Sequence, residues 1–279
     1  MNIVNIAAYR FVSLDDLPRL RTELKGRCLS LQLKGTVLLA PEGINLFLAG
    51  GADSVATFIA GMNADARFCG MGYKHSTSAE QPFNRMLVKL KKEIISMGVP
   101  AINPAEQPAP ALAARTLKAW LDAGRDVVLL DTRNQYEIRL GSFRTATHLD
   151  IDTFRSFPDA AAQLDESLKD RTVVTFCTGG IRCEKAAPLL KAYGFKRVFQ
   201  LEGGILKYFE EVGDAHFNGE CFVFDRRVAL NGRLEDAGTV QCFNCLSPVS
   251  LEEQRSAAYV ADVSCPHCAK GKPVKRLAA

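Results

Sequence analysis

Short apolar runs with two different periods fill the first third of the chain. The segments Ser13–Leu24 and Asp53–Met62 repeat apolar residues at helical spacing, and Ser13 is suited to cap the first helix ahead of two aspartates. The element order β-α-β-β-α-β predicts a ferredoxin-like α+β domain over residues 1–97. Its strands are predicted at Val4–Val12, Gly35–Ala40, Leu46–Ala49 and Met86–Lys91.

A proline-rich interval separates this unit from the next. Pro100, Pro104, Pro108 and Pro110 lie among alanines without apolar periodicity, a composition typical of a semi-rigid linker. We therefore place the domain boundary at residues 98–111.

Apolar runs and helical patterns alternate again over residues 112–212. The runs Val127–Asp131, Val173–Phe176 and Val198–Leu201 are typical of strands covered on both faces. Because helical patterns lie between them, a parallel α/β sheet with right-handed crossovers is expected. Helices are predicted at Leu117–Asp122, which Gly124 terminates, and at Glu184–Tyr193.

The length and composition of the chain agree with this two-domain organisation. A chain of 279 residues, 47% hydrophobic and 24% charged, is typical of a globular protein with about two domains. No stretch approaches the roughly 20 apolar residues that span a membrane, and the first residues lack a signal-peptide pattern. Nine cysteines then indicate thiols and metal ligands in a reducing compartment, so a cytoplasmic protein without a membrane partner is expected. A net charge of +4 is compatible with an RNA partner.

The first chemical signal is a cysteine at the end of a predicted strand, Cys177. Ligands of open α/β sheets lie at this carboxyl edge. The loop amides and the helix N-terminus that follow favour an anion, and a thiol placed there ionises more readily. Arg182 adds a permanent positive charge, so the sequence predicts an anionic-sulfur site. The predicted anion-binding loop comprises Thr178, Gly179, Gly180, Ile181 and Cys183.

Cys183 has two interpretations. It could resolve a sulfenic acid or persulfide on Cys177 by forming a disulfide. It could equally pack under the helix as a small core residue. The sequence leaves both open.

The second chemical signal is a pair of Cys-x-x-Cys knuckles within residues 213–279. Cys242 and Cys245 form the first, and Cys265 and Cys268 form the second after an interval of 19 residues. This spacing is typical of a structural four-thiolate zinc site, which would supply folding energy to a segment too short for a large core. Two dithiol redox pairs are the alternative.

Two other features of this tail are weaker signals. His267 lies inside the second knuckle and could replace a cysteine ligand. The basic segment Lys270–Arg276 is either a frayed terminus or a phosphate contact.

Cys177-Thr-Gly-Gly-Ile-Arg182 resembles the active-site loop of rhodanese domains, whose first cysteine carries a persulfide. The longer stretch from Cys177 to Ala186, together with Leu201–Tyr208, resembles a narrower group: the oxygen-dependent tRNA uridine(34) hydroxylase family, which contains a rhodanese domain. The resemblance covers nearly the whole chain. Further matching segments are Ala40–Asn45, Val88–Ile94 and Glu220–Val228.

This resemblance implies an oxidoreductase that hydroxylates C5 of the wobble uridine of tRNA with dioxygen and gives 5-hydroxyuridine. It makes tRNA the partner, Cys177 the essential thiol, and Arg182 with the loop amides the groups that bind or stabilise an anion. Asp131 and Arg133 match a rhodanese strand-end pattern in which they hold loops by charge-assisted hydrogen bonds. No Gly-x-Gly-x-x-Gly fingerprint is present, so no flavin or nicotinamide site is expected.

A rhodanese-type sulfurtransferase is the alternative function. Residues 112–212 would suffice to move sulfane sulfur through a persulfide on Cys177, with a sulfur-carrier protein as partner. The N-terminal domain and the cysteine-rich tail, which a simple thiosulfate enzyme does not need, favour the hydroxylase. A non-catalytic binding module is a third reading, and the intact cysteine argues against it.

Three expectations concern the remaining matched segments. Leu46, Phe47 and Leu48 are bulky and apolar, which argues against a substrate role for the hairpin that contains them. The alternation over Glu220–Val228 predicts one more strand, with Cys221 buried in it. A basic group near the fourth strand forms either a solvated face or phosphate contacts; it comprises Arg85, Lys89, Lys91 and Lys92.

Overall fold

The computed structural model describes residues 3–269. In this part of the chain, no helix is long and apolar enough to cross a membrane. The N-terminal unit consists of β1 (Ile3–Phe11), α1 (Leu17–Ser30), β2 (Lys34–Ala40), β3 (Gly43–Gly50), α2 (Ala52–Asn63), β4 (Tyr73–Ser78) and β5 (Met86–Leu90).

These strands form one sheet in the order β4-β1-β3-β2-β5. The strands β4, β1, β3 and β2 pair with one another in antiparallel fashion, and β5 runs parallel to β2. With two crossing helices this is the predicted ferredoxin-like arrangement, extended by one strand. Side chains alternate across each strand, so Ile6 and Ala8 enter the core under the helices. Their neighbours Ala7 and Tyr9 point to the opposite face.

Two predictions for this unit were wrong. The fourth strand of the ferredoxin-like set is Tyr73–Ser78, whose polar sequence carries no apolar alternation; Met86–Leu90 is a fifth strand at the other edge. Ser13 does not cap the first helix. Asp16 does so, with its side chain accepting a hydrogen bond from the Arg19 N–H at 3.3 Å.

The second unit contains a parallel sheet of five strands with helices on both faces. Val173 and Val174 belong to different apolar clusters because successive side chains of a strand point to opposite faces. The strand order is β6-β11-β10-β7-β9. Its elements are β6 (Ala111–Leu112), α3 (Ala114–Asp122), β7 (Val128–Asp131), α4 (Gln135–Ile138), β8 (Gly141–Phe143), β9 (Ala146–Thr147), α5 (Phe157–Ala161), β10 (Thr172–Phe176), α6 (Ile181–Ala192), β11 (Arg197–Leu201) and α7 (Gly204–Val212).

The proline-rich interval is not a free spacer. Met97, Ile102 and Ala109 are buried and pack into the apolar cluster of the second unit, which also contains Phe157 and Val198. The interval and Met97, which precedes it, are therefore packed onto the second unit.

The remaining residues form short antiparallel strand pairs, the first of them with β8 of the second unit. One strand was expected over Glu220–Val228, but only Cys221 and Phe222 are extended, and they pair with Ala229 and Leu230. Cys221 is buried, as predicted. The basic segment Lys270–Arg276 lies outside the described residues. The strands of this part are β12 (Phe217–Gly219), β13 (Cys221–Phe222), β14 (Ala229–Leu230), β15 (Val240–Gln241) and β16 (Pro248–Val249).

A buried lysine ties the two units at their interface. Lys185, on α6, places Nζ 2.7 Å from Glu42 Oε2 and 2.6 Å from Glu93 Oε2. Glu42 lies in the β2–β3 turn, and Glu93 follows β5. Because the lysine side chain is almost fully buried, its two partners fix the orientation of α6 against the N-terminal sheet.

We expect Lys185→Met to destabilise the protein by on the order of 3 kcal/mol, because it leaves two interfacial carboxylates without their cation. The surface pair Lys196–Asp170 provides the control, since both side chains are well exposed. Lys196→Met should cost less than about 1 kcal/mol. Urea unfolding of both variants measures this difference, and equal losses would contradict the role of Lys185.

Candidate active site

Cys177 lies at the carboxyl end of the central strand of the parallel sheet. It follows β10, which β7 and β11 flank, and the helix α6 begins four residues later at Ile181. Gly180 closes the loop with a φ of +98°, and a Cβ there would lie 2.9 Å from the Tyr9 hydroxyl. Glycine is therefore required both for the turn and for the close approach of the N-terminal sheet.

A second turn, at Gly203–Gly204, positions the cysteine loop through backbone hydrogen bonds from the residues that follow it. The N–H groups of Ile205 and Leu206 donate to the carbonyl oxygens of Cys177 and Thr178, at 2.9 and 3.1 Å. A Cβ on Gly204 would lie 2.4 Å from the Cys177 oxygen. The Gly203–Gly204 turn therefore lies directly beside the cysteine loop.

The Cys177 sulfur lies in an environment that favours the thiolate. Gly180 N–H donates to Sγ at 3.1 Å. Burial by itself would raise the pKa of Cys177. The hydrogen bond from the Cys183 thiol, the charge of Arg182 and the N–H groups of Arg182 and Gly180 outweigh this effect and lower the pKa to about 5.

Cys183 is buried directly beside Cys177. Its sulfur lies 3.8 Å from Thr132 Oγ1, and it also bonds to Thr175. Burial and the neighbouring Cys177 raise the pKa of Cys183 well above its ordinary value. Cys183 therefore remains protonated beside the Cys177 thiolate and helps to lower the pKa of Cys177.

Arg182 is bound within the protein and does not point toward solvent. Its Nη1 and Nη2 donate to Glu137 Oε2 and Oε1 at 2.6 and 2.7 Å, and both side chains are buried. Glu137 also accepts from Thr178 Oγ1 at 3.3 Å. In addition to this pairing, the charge of Arg182 lowers the pKa of Cys177.

A second buried ion pair supports the neighbouring strand end. Arg133 Nη2 donates to Asp131 Oδ2 at 2.6 Å and to the Gly141 carbonyl at 2.7 Å. Asp131 Oδ2 also accepts from Ser142 Oγ at 2.7 Å. These contacts match the scaffolding role predicted for Asp131 and Arg133.

The N-terminal sheet contributes two groups that sequence reasoning missed. Tyr9 donates to Glu184 Oε1 at 3.1 Å, close to Cys177. Lys74, on β4, places Nζ 5.2 Å from the centre of the Tyr9 ring. Burial lowers the pKa of Lys74, and the charge of Cys177 opposes this shift. Because β4 has a polar sequence, no pattern indicated that Lys74 faces the cysteine loop.

Two connected spaces adjoin the loop. A small cavity of about 50 Å³ lies over Cys177 between the two units, and a cleft of about 530 Å³ lies outside it. Asn45, Phe47, Ile181, Arg182 and Phe224 line both of them. The cleft is therefore the approach to the cysteine loop.

Four cysteines in the C-terminal part converge on one point. Their Sγ atoms all lie within 4.8 Å of one another, so this cluster could hold a metal ion. The distances are 3.5 Å for Cys245–Cys265, 3.8 Å for Cys265–Cys268 and 3.9 Å for Cys242–Cys268. A tetrahedron with Zn–S bonds of 2.3 Å has edges of about 3.8 Å, so the four thiolates fit zinc.

His267 lies outside this cluster of sulfur atoms. Its Nε2 lies 2.9 Å from Glu253 Oε1, and its Nδ1 lies 3.4 Å from Arg139 Nη1. Both ring nitrogens therefore contact charged side chains and are not directed at the cysteines.

The fold and the cysteine loop together define a protein with a rhodanese-like domain. The family model described as rhodanese-like domain matches residues 113–211, and the model described as UPF0176 acylphosphatase like domain matches residues 3–94. Relatives that match over nearly the full length of the chain identify a more specific family. A tRNA uridine(34) hydroxylase of Cupriavidus taiwanensis is 55% identical, over 98% of each chain. Those of Ralstonia nicotianae and Burkholderia cenocepacia are each 53% identical, over 96% and 97% of this chain and 97% and 98% of theirs.

The chain belongs to the tRNA uridine(34) hydroxylase family. The resemblance seen in the sequence is thereby confirmed. These relatives match nearly the whole chain, and each is named a hydroxylase. A sulfurtransferase function is therefore not favoured for this chain.

Solved structures cover parts of the chain. The rhodanese-like domain of an Anabaena protein is 24% identical, covering 39% of this chain and 79% of its own, with a TM-score of 0.33. A thiosulfate sulfurtransferase from Pseudomonas aeruginosa is 26% identical, covering 37% of this chain and 19% of its own, with a TM-score of 0.31.

We expect Cys177 to titrate far below an ordinary thiol. The thiolate absorbance of the wild-type protein minus that of Cys177→Ser should rise with a midpoint near pH 5, since the pKa is lowered to about 5. Cys69→Ser, which removes an exposed free cysteine, should leave this transition unchanged. A difference signal with a midpoint near the ordinary thiol value of about 8.5 would contradict the assignment.

Proposed function

We propose that this protein is a tRNA-modifying oxidoreductase that hydroxylates C5 of uridine 34 to give 5-hydroxyuridine, with dioxygen as co-substrate and tRNA as partner. The observation that carries this proposal is the 55% identity, over nearly the full length, to a relative with the hydroxylase name. The site supports it, since both units of the chain enclose one reactive thiol. The activity would take place where tRNA is found, in the cytoplasm.

Cys177 is the proposed reactive thiol. Its sulfur is buried and ionised, and the small cavity over it shares lining residues with the interdomain cleft. A thiolate is the nucleophilic form of cysteine. Exclusion of water strengthens its interactions with a bound base, because the local dielectric constant is low.

The other loop residues are proposed to position this thiol. Arg182 and Glu137 hold the loop through their paired hydrogen bonds, and Thr178 joins the same carboxylate. Gly179 and Gly180 present the backbone groups, with Gly180 N–H on the sulfur. Ile181 begins α6, and Cys183 donates a hydrogen bond to the thiolate.

We further propose that each segment of the chain has a separate structural role. Residues 1–97 form the domain that covers the thiol, residues 98–111 connect it, and residues 112–212 carry the loop. Residues 213–279 carry the metal module. The matched segments 3–94 and 113–211 support these boundaries.

The metal module is proposed to hold a structural zinc ion. Four thiolates would complete a tetrahedron, which leaves no position for a substrate. The module has a small apolar core around Val249, so metal binding would supply much of its folding energy.

The function is tested by nucleoside mass spectrometry of tRNA from cells that lack this protein. Wild type should restore 5-hydroxyuridine and nucleosides derived from it at position 34, and Cys177→Ser should not, because the reactive thiol is lost. Cys69→Ser serves as the matched control and should restore them. Unchanged 5-hydroxyuridine in the deletion strain would contradict hydroxylation, and a loss of thiolated nucleosides instead would favour sulfur transfer.

The zinc proposal has its own test. The purified protein should contain one zinc ion per chain by elemental analysis, and Cys245→Ser should lower both the zinc content and the melting temperature, since a buried ligand is lost. Cys28→Ser, at a buried cysteine outside the cluster, should retain zinc. A metal-free wild-type protein with an intact fold would overturn the proposal.

A further inference from the structure

We propose that the interdomain cleft is the binding site of the target uracil base, in which Phe224 stacks on the base and the Asn45 side chain reads its edge. This inference rests on the proposed function and deepens it. It assigns substrate contacts to two residues that lie outside the rhodanese-like domain and are distant from each other in sequence.

The Phe224 side chain is partly exposed, but the segment that carries it is held in place. Its side chain is 45% exposed, although the segment around it contacts both units. Thr178 Oγ1 donates to the Phe222 carbonyl at 3.3 Å, and Arg227 Nη1 donates to Ser76 Oγ on β4 at 2.7 Å. The ring is thus fixed between two anchors while one side faces the cleft.

The neighbours of Phe224 leave it suited to stacking. Its ring centre lies 6.1 Å from that of Phe47 and 5.1 Å from that of Phe222, in tilted and edge-on geometry. The Arg182 guanidinium lies 6.0 Å from the same ring, directly beside the cysteine loop. Aromatic side chains of this kind stack on unpaired bases in single-stranded nucleic acid.

Asn45 offers a directed acceptor in the same place. The side chain is 7% exposed, and its Nδ2 donates to the Ile94 carbonyl at 3.3 Å. This bond uses one of the two Nδ2 hydrogens and fixes the amide, while Oδ1 accepts no hydrogen bond from the described residues. Oδ1 is therefore available as an acceptor for a ligand in the cavity and the cleft, both of which Asn45 lines. Uracil presents an N3–H donor on its pairing edge, whereas cytosine presents an acceptor at N3. An amide oxygen here therefore favours uracil.

The β3 strand explains why this role was unexpected. Leu46 and Leu48 point into the core of the N-terminal unit, whereas Asn45 and Phe47 alternate with them and line the cleft. The bulky leucines that argued against a substrate role lie on the face that the substrate does not meet.

Size and charge fit a nucleotide. The cleft volume of about 530 Å³ falls in the range typical of small-ligand sites, roughly 300–1,000 Å³. Lys91 and Arg155 are exposed and line the cleft from opposite units. They supply positive charge for the flanking phosphates, while an extruded base enters toward Cys177.

The test uses an unmodified anticodon stem-loop RNA with uridine at position 34 and the full-length protein. Phe224→Leu should bind this RNA about 5- to 100-fold more weakly by fluorescence anisotropy, as loss of one stacked base predicts. Phe243→Leu is the matched control, because Phe243 is 76% exposed on the metal module, and it should bind as the wild type does. Equal binding by Phe224→Leu and wild type would overturn the inference.

Phe224→Trp separates stacking from a structural role. It should retain binding, and its added tryptophan fluorescence should be quenched by the uridine stem-loop and not by a stem-loop that lacks the base at position 34. The wild-type protein, whose single tryptophan is Trp120, supplies the background. Equal quenching by both RNAs would contradict stacking on this base.

Asn45→Ala tests the edge contact. The wild type should bind the uridine stem-loop more tightly than one with cytidine at position 34, and Asn45→Ala should lose this preference while its melting temperature stays near that of Phe243→Leu. A preference retained by Asn45→Ala would overturn the assignment of Asn45. These binding measurements do not depend on turnover, so specific binding without 5-hydroxyuridine formation would support the base site and contradict the proposed hydroxylation.

Discussion

A buried negative charge on the Cys177 sulfur is the feature on which the rest of the site depends. Such a charge persists inside a protein only where donors and cations replace the lost water. Here the Gly180 N–H, the Cys183 thiol and the Arg182 charge do so. Arg182 is in turn held by Glu137 through two short hydrogen bonds, so the loop and the helix α4 that carries Glu137 form one unit.

The same constraint explains why a second domain is present. A thiolate at the edge of an open sheet would meet solvent, but the polar face of the N-terminal sheet covers this one. Tyr9 and Lys74 reach the loop from that face, and Lys185 ties α6 to Glu42 and Glu93. The cavity around the Cys177 thiolate is therefore lined by both domains, and neither domain could form it alone.

Sequence patterns revealed the parts whose signal is local. The cysteine loop, the parallel sheet and the paired knuckles each depend on short spacings, and all lie where the pattern predicted. The strand Tyr73–Ser78 was missed because its residues are polar on both faces. It is held by pairing with β1, a contact between segments distant in sequence.

The missed site residues share one physical cause. Lys74, Asn45 and Phe224 become important only because they face the other domain, and no periodicity within one segment reports the partner across an interface. The role proposed for Asn45 on β3 was not indicated by the sequence for this reason. Arg182 was expected to bind or stabilise an anion, and the sequence did not indicate that its partner is the buried carboxylate of Glu137, 45 residues away.

The most direct measurement of the central claim is the source of the oxygen atom and its dependence on the thiol. Extract of cells that lack the protein is supplemented with purified wild type or Cys177→Ser and with unmodified tRNA, under isotopically labelled dioxygen. The account predicts labelled 5-hydroxyuridine at position 34 with wild type and none with Cys177→Ser. Labelled product from Cys177→Ser, or product from wild type that carries oxygen from water, would contradict it.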